Sequence, residues 1–185
     1  MLLGQRVRVV VLISFLASSA LTAQTDYFSV TGQDFLEQTR FVFVGKLVDK
    51  SSYRDTEVGE IFTRYVFEVS EAVKGDPGEQ AEVIEYGGTV DGETVKVSHG
   101  PSYVFGQEYL VFSYVDLLDH DRTLSGPLGR FQIISQRGGR RTVRIYPTHP
   151  LSDALNLNKA TVLMELDGFC DRVRSRLDEI QNEKE

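Results

Sequence analysis

Phe41-Val42-Phe43-Val44-Gly45-Lys46-Leu47-Val48 is interrupted in its apolar run only by Gly45 and Lys46. A short, nearly unbroken apolar stretch predicts a β-strand with cover on both faces. Residues 49–60 are polar and read as the loop that follows. A second strand is expected over residues 61–73, where Tyr65, Phe67 and Val69 share one face and Arg64, Glu68 and Ser70 the other. That is the period of two of a half-buried strand. Lys74-Gly75-Asp76-Pro77-Gly78 then supplies turn chemistry, with glycine free to take positive φ and proline fixing its own.

Further strands are expected over residues 81–86, ended by Gly87-Gly88, and over residues 94–97 after an Asp91-Gly92 turn. EYLVFSYV (108–115) is the clearest inner strand of the second half, and residues 116–129 read as a loop. Residues 130–135 and 142–146 form a hairpin pattern around Gln136-Arg137-Gly138-Gly139-Arg140, because Gly-Gly permits a tight turn. Six or seven short strands with frequent turn signals predict a mainly β, antiparallel sandwich or barrel over residues 41–146, not a βαβ fold. Of the aromatic set Tyr103, Phe105, Tyr109, Phe112 and Tyr114, Phe112 is assigned to the core; Tyr103 is left open between core and binding face.

Either side of this domain the pattern changes. Residues 24–40 form an N-terminal segment in which residues 33–40 read as a short helix or turn, with Phe35 and Leu36 inward. Residues 147–157 carry two prolines and read as a surface linker. Residues 158–185 read as one long helix: Val162, Leu163, Leu166, Phe169, Cys170, Val173, Leu177 and Ile180 recur at three- and four-residue steps. Asn158 or Thr161 would cap it, and its apolar stripe is expected to dock on the barrel rather than on a second chain.

Residues 1–23 have the order of a secretory signal. Arg6 and Arg8 lead, VVVLISFL (9–16) is the apolar core, and small residues run to Ala23. Cleavage is expected after Ala23, with Ala20 the alternative. The competing reading is an uncleaved anchor, since the uncharged residues 9–25 come close to the length of ~17–25 residues that spans a bilayer. The expected destination is therefore outside the cytoplasm, periplasmic or extracellular, with no stable membrane span after cleavage.

Composition excludes whole classes. The 185 residues are 41% hydrophobic with net charge −7, so the chain is neither collagen-like nor wholly disordered, and a broad nucleic-acid footprint is disfavoured. Its single cysteine, Cys170, cannot form an internal disulfide and reads as a buried hydrophobe on the helix. His99, His120 and His149 are isolated, and no HExxH, CxxC or GxSxG pattern occurs, so no metal, cofactor or catalytic residue is assigned. Asp119-His120-Asp121 reads as a solvated acidic loop. Arg137, Arg140, Arg141 and Arg144 stand out as a basic hairpin tip against the acidic background. They are the candidate surface for an anionic glycan, lipid headgroup or acidic partner.

Four segments occur in an order that resembles a known family: Phe41-Val42-Phe43-Val44-Gly45, Tyr65-Val66-Phe67-Glu68-Val69, Val73-Lys74-Gly75 and Gly106-Gln107-Glu108-Tyr109-Leu110-Val111-Phe112. The set resembles the netrin-like and tissue-inhibitor-of-metalloproteinases-like domains, including bacterial secreted relatives. The resemblance implies an OB-type β-barrel used mainly for binding, here with an appended C-terminal helix. It also implies a departure. The animal inhibitors chelate a protease's zinc through an N-terminal cysteine, whereas the expected mature start is Gln24, and the family's disulfides are missing. Architecture transfers on such a resemblance more safely than activity. The expected function is an exported, non-enzymatic binding module for a protein or cell-envelope component. The alternatives are a small secreted hydrolase using dispersed carboxylates, or a proteinase inhibitor working without the chelating cysteine.

Overall fold

The computed structural model describes residues 31–157 and 160–184; the expected signal over 1–23, the start of the N-terminal segment and the expected cap at Asn158 lie outside the described residues. In chain order the elements are α1 (Gly32–Gln38), β1 (Phe41–Arg54), β2 (Ile61–Lys74), β3 (Gln80–Tyr86), β4 (Gly88–Val90), β5 (Glu93–Val95), β6 (Glu108–Val115) and β7 (Asp121–Thr123). After a 3-10 turn (Gly126–Gly129) come β8 (Arg130–Gln132), β9 (Ile134–Ser135), β10 (Arg141–Ile145), α2 (Pro150–Ala154), β11 (Val162–Glu165) and α3 (Leu166–Asn182). The chain is mainly β, all strand pairs are antiparallel, and a helix closes the C-terminal end.

The main sheet runs β3-β2-β1-β6-β7, with β8 also on β6. β1 therefore pairs on both edges, and its two faces meet different cores. Val42 and Val44, with Leu110 and Phe112 of β6, face a core built with Phe35, Leu36, Leu151, Phe169 and Val173 of the helices. Phe43 and Leu47, with Tyr109 and Val111 of β6, face an aromatic core with Tyr65, Phe67 and Tyr103. The nearly unbroken apolar run at the start of β1 thus has the two-sided cover its composition predicts. Phe112 is core as expected, and so is Tyr103, whose hydroxyl shares a 2.7 Å hydrogen bond with Thr123.

β1 extends to Arg54, so the expected loop over 49–60 shrinks to residues 55–60. Its polar half stays in the ladder because side chains pair across it. The Ser52 and Thr63 hydroxyls are 2.9 Å apart, and the Tyr53 ring stacks on Phe62 at 5.9 Å. At the far ends of the sheet, no backbone ladder joins β3 to β7 among the described residues, so the expected closed barrel is not seen. A side chain bridges that seam: Glu85 of β3 accepts from the Thr123 N–H at 2.8 Å and from Arg122 at 3.2 Å.

Two expectations at the C-terminal end are corrected. The helix starts at Leu166, because Val162–Glu165 forms a third strand beside β10, with Val143 opposite Met164 and Ile145 opposite Val162. Val162 and Leu163 fit a helical period, but β10 offers unpaired backbone and tertiary pairing overrides the period. Residues 147–157 are not a surface linker either. They contain α2, which buries Leu151, and Leu155 at its C-terminal cap is buried as well. Gly32 makes that docking possible, since a Cβ there would lie 2.3 Å from the Pro150 carbonyl oxygen and 2.5 Å from Ala154 Cβ. The α3 stripe of Leu166, Phe169, Cys170, Val173 and Ile180 faces its own domain. Burial pushes the Cys170 thiol up to about 12, which leaves it protonated and inert.

Candidate functional site

Two concave regions lie at different places along β6. The first follows the seam. Glu85, Tyr86, His99, Tyr114, Arg122 and Thr123 line a cleft of about 210 Å³, and an apolar groove of about 420 Å³ continues it past Leu117 and Leu118. Burial raises the Glu85 carboxyl above its ordinary range, opposed by hydrogen bonds from Thr123 and Arg122. Burial works against the charge of Asp116 as well. There the N–H groups of His120 and Leu118 and the Arg122 guanidinium outweigh it, and the carboxyl sits below its ordinary range. Both acids face Arg122, at 3.2 and 3.4 Å, and that guanidinium also lies 4.0 Å from the Tyr86 ring centre. Environments that push two carboxyls apart are what acid–base chemistry uses. Here a cation stands between them and holds β3 to β7, which is the geometry of a clamp.

The second region is a groove of about 430 Å³ between the 3-10 turn, β8 and β10, bordered by Leu128, Phe131, Ile134, Arg144, Tyr146 and His149. Three of its apolar side chains are open to solvent: Leu128 at 42%, Ile134 at 38% and Tyr146 at 54%. One wall is pinned by His149. Its Nδ1 accepts from the Leu151 N–H at 3.1 Å, capping α2, so Nε2 carries the proton and donates to the Leu128 carbonyl at 2.9 Å. Burial holds this imidazole below its ordinary pKa.

The four arginines of the hairpin tip do not act as one patch. The Gln136–Arg140 turn forms as expected, with Gly138 and Gly139 at φ 91° and 82°. Arg140 pairs with Glu165 at 2.6 Å, and Arg141 with Glu108 at 3.0 Å and Asp167 at 3.5 Å. Those two are neutralised locally, by carboxylates of β6, β11 and α3 that are distant in sequence. Arg137 and Arg144 have no carboxylate within ion-pair distance among the described residues. Arg144 alone of the four borders the groove. Leu128, Ile134 and Tyr146 had no distinguishing signal in the sequence. His149 before Pro150 was a readable one, because a polar residue followed by proline marks a helix start.

Among the described residues no group of three or more His, Cys, Asp or Glu is placed to hold a metal ion. His120 sits with Nδ1 3.8 Å from Asp116 and its ring edge-on to Phe62. No described helix is long and apolar enough to cross a membrane. Comparison with protein-family models gave no match, and comparison with curated proteins gave none either.

Proposed function

We propose that this chain is an exported, non-enzymatic binding module of OB-type architecture, similar to the netrin-like domains, and that it takes its partner in the Arg144 groove. The strand order supports the architecture. A five-stranded OB barrel is a partly open Greek key, and β3-β2-β1-β6-β7 has that connectivity with its opening at the Glu85 seam. The charged, apolar and small-residue order of residues 1–23 supports export.

One observation carries the function. In an acidic chain whose Arg140 and Arg141 are paired, Arg144 has no carboxylate partner among the described residues and, unlike the equally unpaired Arg137, lies in a groove beside exposed Leu128, Ile134 and Tyr146. A cation set among apolar side chains suits a protein or cell-envelope partner that presents an anionic group next to apolar surface. An aromatic sulfonate, anilinonaphthalene sulfonate, has that chemistry and serves as the probe. Titration followed by NMR should shift the resonances of Ile134, Arg144 and Tyr146. Arg144→Glu should weaken binding by about tenfold or more, the scale of one charge-assisted hydrogen bond, while Arg137→Ala changes it little. Equal affinity in Arg144→Glu would refute the reading.

A further inference from the structure

The tip between β6 and β7 has the complementary chemistry. Leu117 is fully exposed and Leu118 is partly so, although buried aliphatics dominate the rest of the chain. The tip is held rigid from within. Asp116 Oδ1 accepts from the Leu118 N–H at 2.8 Å and the His120 N–H at 3.0 Å, and Asp116 Oδ2 meets Arg122. Asp119, next in the chain after the leucines, is exposed and has no cationic partner among the described residues. The result is a preformed apolar knob with an acidic flank, opposite in charge to the groove around Arg144.

The knob cannot reach the groove of its own chain. β8, which borders the groove, pairs with Tyr109–Val111, whereas the tip follows Val115 at the other end of β6. That separation is at least four residues along an extended strand, roughly 13 Å or more at ~3.3 Å per residue. We propose that the knob of one copy seats in the groove of a second copy, with Leu117 against Ile134 and Tyr146 and Asp119 toward Arg144. The contact joins unlike surfaces, so assembly either closes on itself, by reciprocal exchange in a pair or as a larger ring, or runs on as an open chain. A groove of about 430 Å³ lies in the size range, about 300–1,000 Å³, of clefts that enclose a ligand.

This inference rests on the groove being a binding site and adds the identity of its occupant. The test is sedimentation velocity of the purified protein from about 10 μM to about 1 mM, a range that reaches even weak association. The wild-type protein should gain mass with concentration. Leu117→Asp removes the knob and Arg144→Glu removes the groove, and both side chains are exposed, so circular dichroism should show unchanged folds. Each variant alone should stay monomeric. Mixed one to one, they should form a heterodimer and nothing larger, since one intact knob meets one intact groove. A wild-type protein monomeric to about 1 mM overturns the inference, and so does a mixture no heavier than its components. If the wild type stays monomeric while Arg144→Glu still loses the sulfonate, self-assembly fails and the groove survives as a site. If Arg144→Glu binds the sulfonate like wild type, the groove itself fails.

Discussion

His149 makes the stability of this protein respond to acid in a way that one substitution should remove. The imidazole is buried between Phe35 and Phe131, with ring centres 5.6 and 4.9 Å away, and both its nitrogens are engaged. Protonating Nδ1 would turn an acceptor into a donor facing the Leu151 N–H, removing the cap of α2 and pressing a charge into an apolar wall. The folded-state pKa is depressed by burial, while the unfolded chain titrates near ~6.5. Between those two values the unfolded state binds more protons, so stability is full above about pH 6.5 and falls as pH falls toward the folded pKa. One proton limits the slope to about 1.4 kcal/mol per pH unit. His149→Asn retains a capping oxygen but cannot titrate. Its constant cost is about 1–3 kcal/mol, for the lost ring packing and the Leu128 carbonyl left without its donor. Urea unfolding from pH 5 to 8 should show the wild-type free energy converging on the variant's as pH falls below about 6.5. The difference between the two curves cancels the other histidines and the carboxylates. Parallel curves across that range would refute the tautomer and the cap together.

Three further outcomes are expected. Gly32→Ala should destabilise by about 1–3 kcal/mol, since its Cβ meets Pro150 oxygen and Ala154 Cβ with no flexible neighbour to yield; thermal unfolding measures it, and an unchanged midpoint contradicts the α1–α2 contact. Arg122→Met should cost about 3–5 kcal/mol by leaving Glu85 buried without its cation, and adding Glu85→Gln should restore much of the loss in a chemical-unfolding double-mutant cycle. Because burial raises the Glu85 pKa, stability in the Arg122→Met variant should be full below the unfolded carboxyl value and fall as pH rises through the folded one. Cys170 should resist alkylation in the native protein and react fully in denaturant, as read by intact mass; rapid native labelling would contradict its burial.

Where local chemistry and tertiary environment agree, the fold was legible from residues alone. The short helix before β1 turns Phe35 and Leu36 inward, Gly138-Gly139 takes the tight turn, and the Leu166-to-Ile180 stripe docks inward. The misses share one cause. Ser52 and Tyr53 look like loop residues until Thr63 and Phe62 stand opposite them. Val162 and Leu163 look helical until β10 offers a ladder. The basic hairpin tip was visible as a run of arginines, but which of them stays free depends on Glu108, Glu165 and Asp167 arriving from other elements.

The sequence by itself determined the elements whose signal is periodic or conformational: the two-sided apolar strands β1 and β6, the glycine turns and the apolar face of α3. Apolar periodicity and allowed φ are properties of neighbouring residues, and they survive whatever the chain packs against. Only the tertiary structure decided which charges are neutralised, where the sheet's ends meet at Glu85, and that Arg144 shares a groove with Leu128, Ile134 and Tyr146. Those are distances between residues far apart in the chain, set by strand order and register, and no local pattern encodes them.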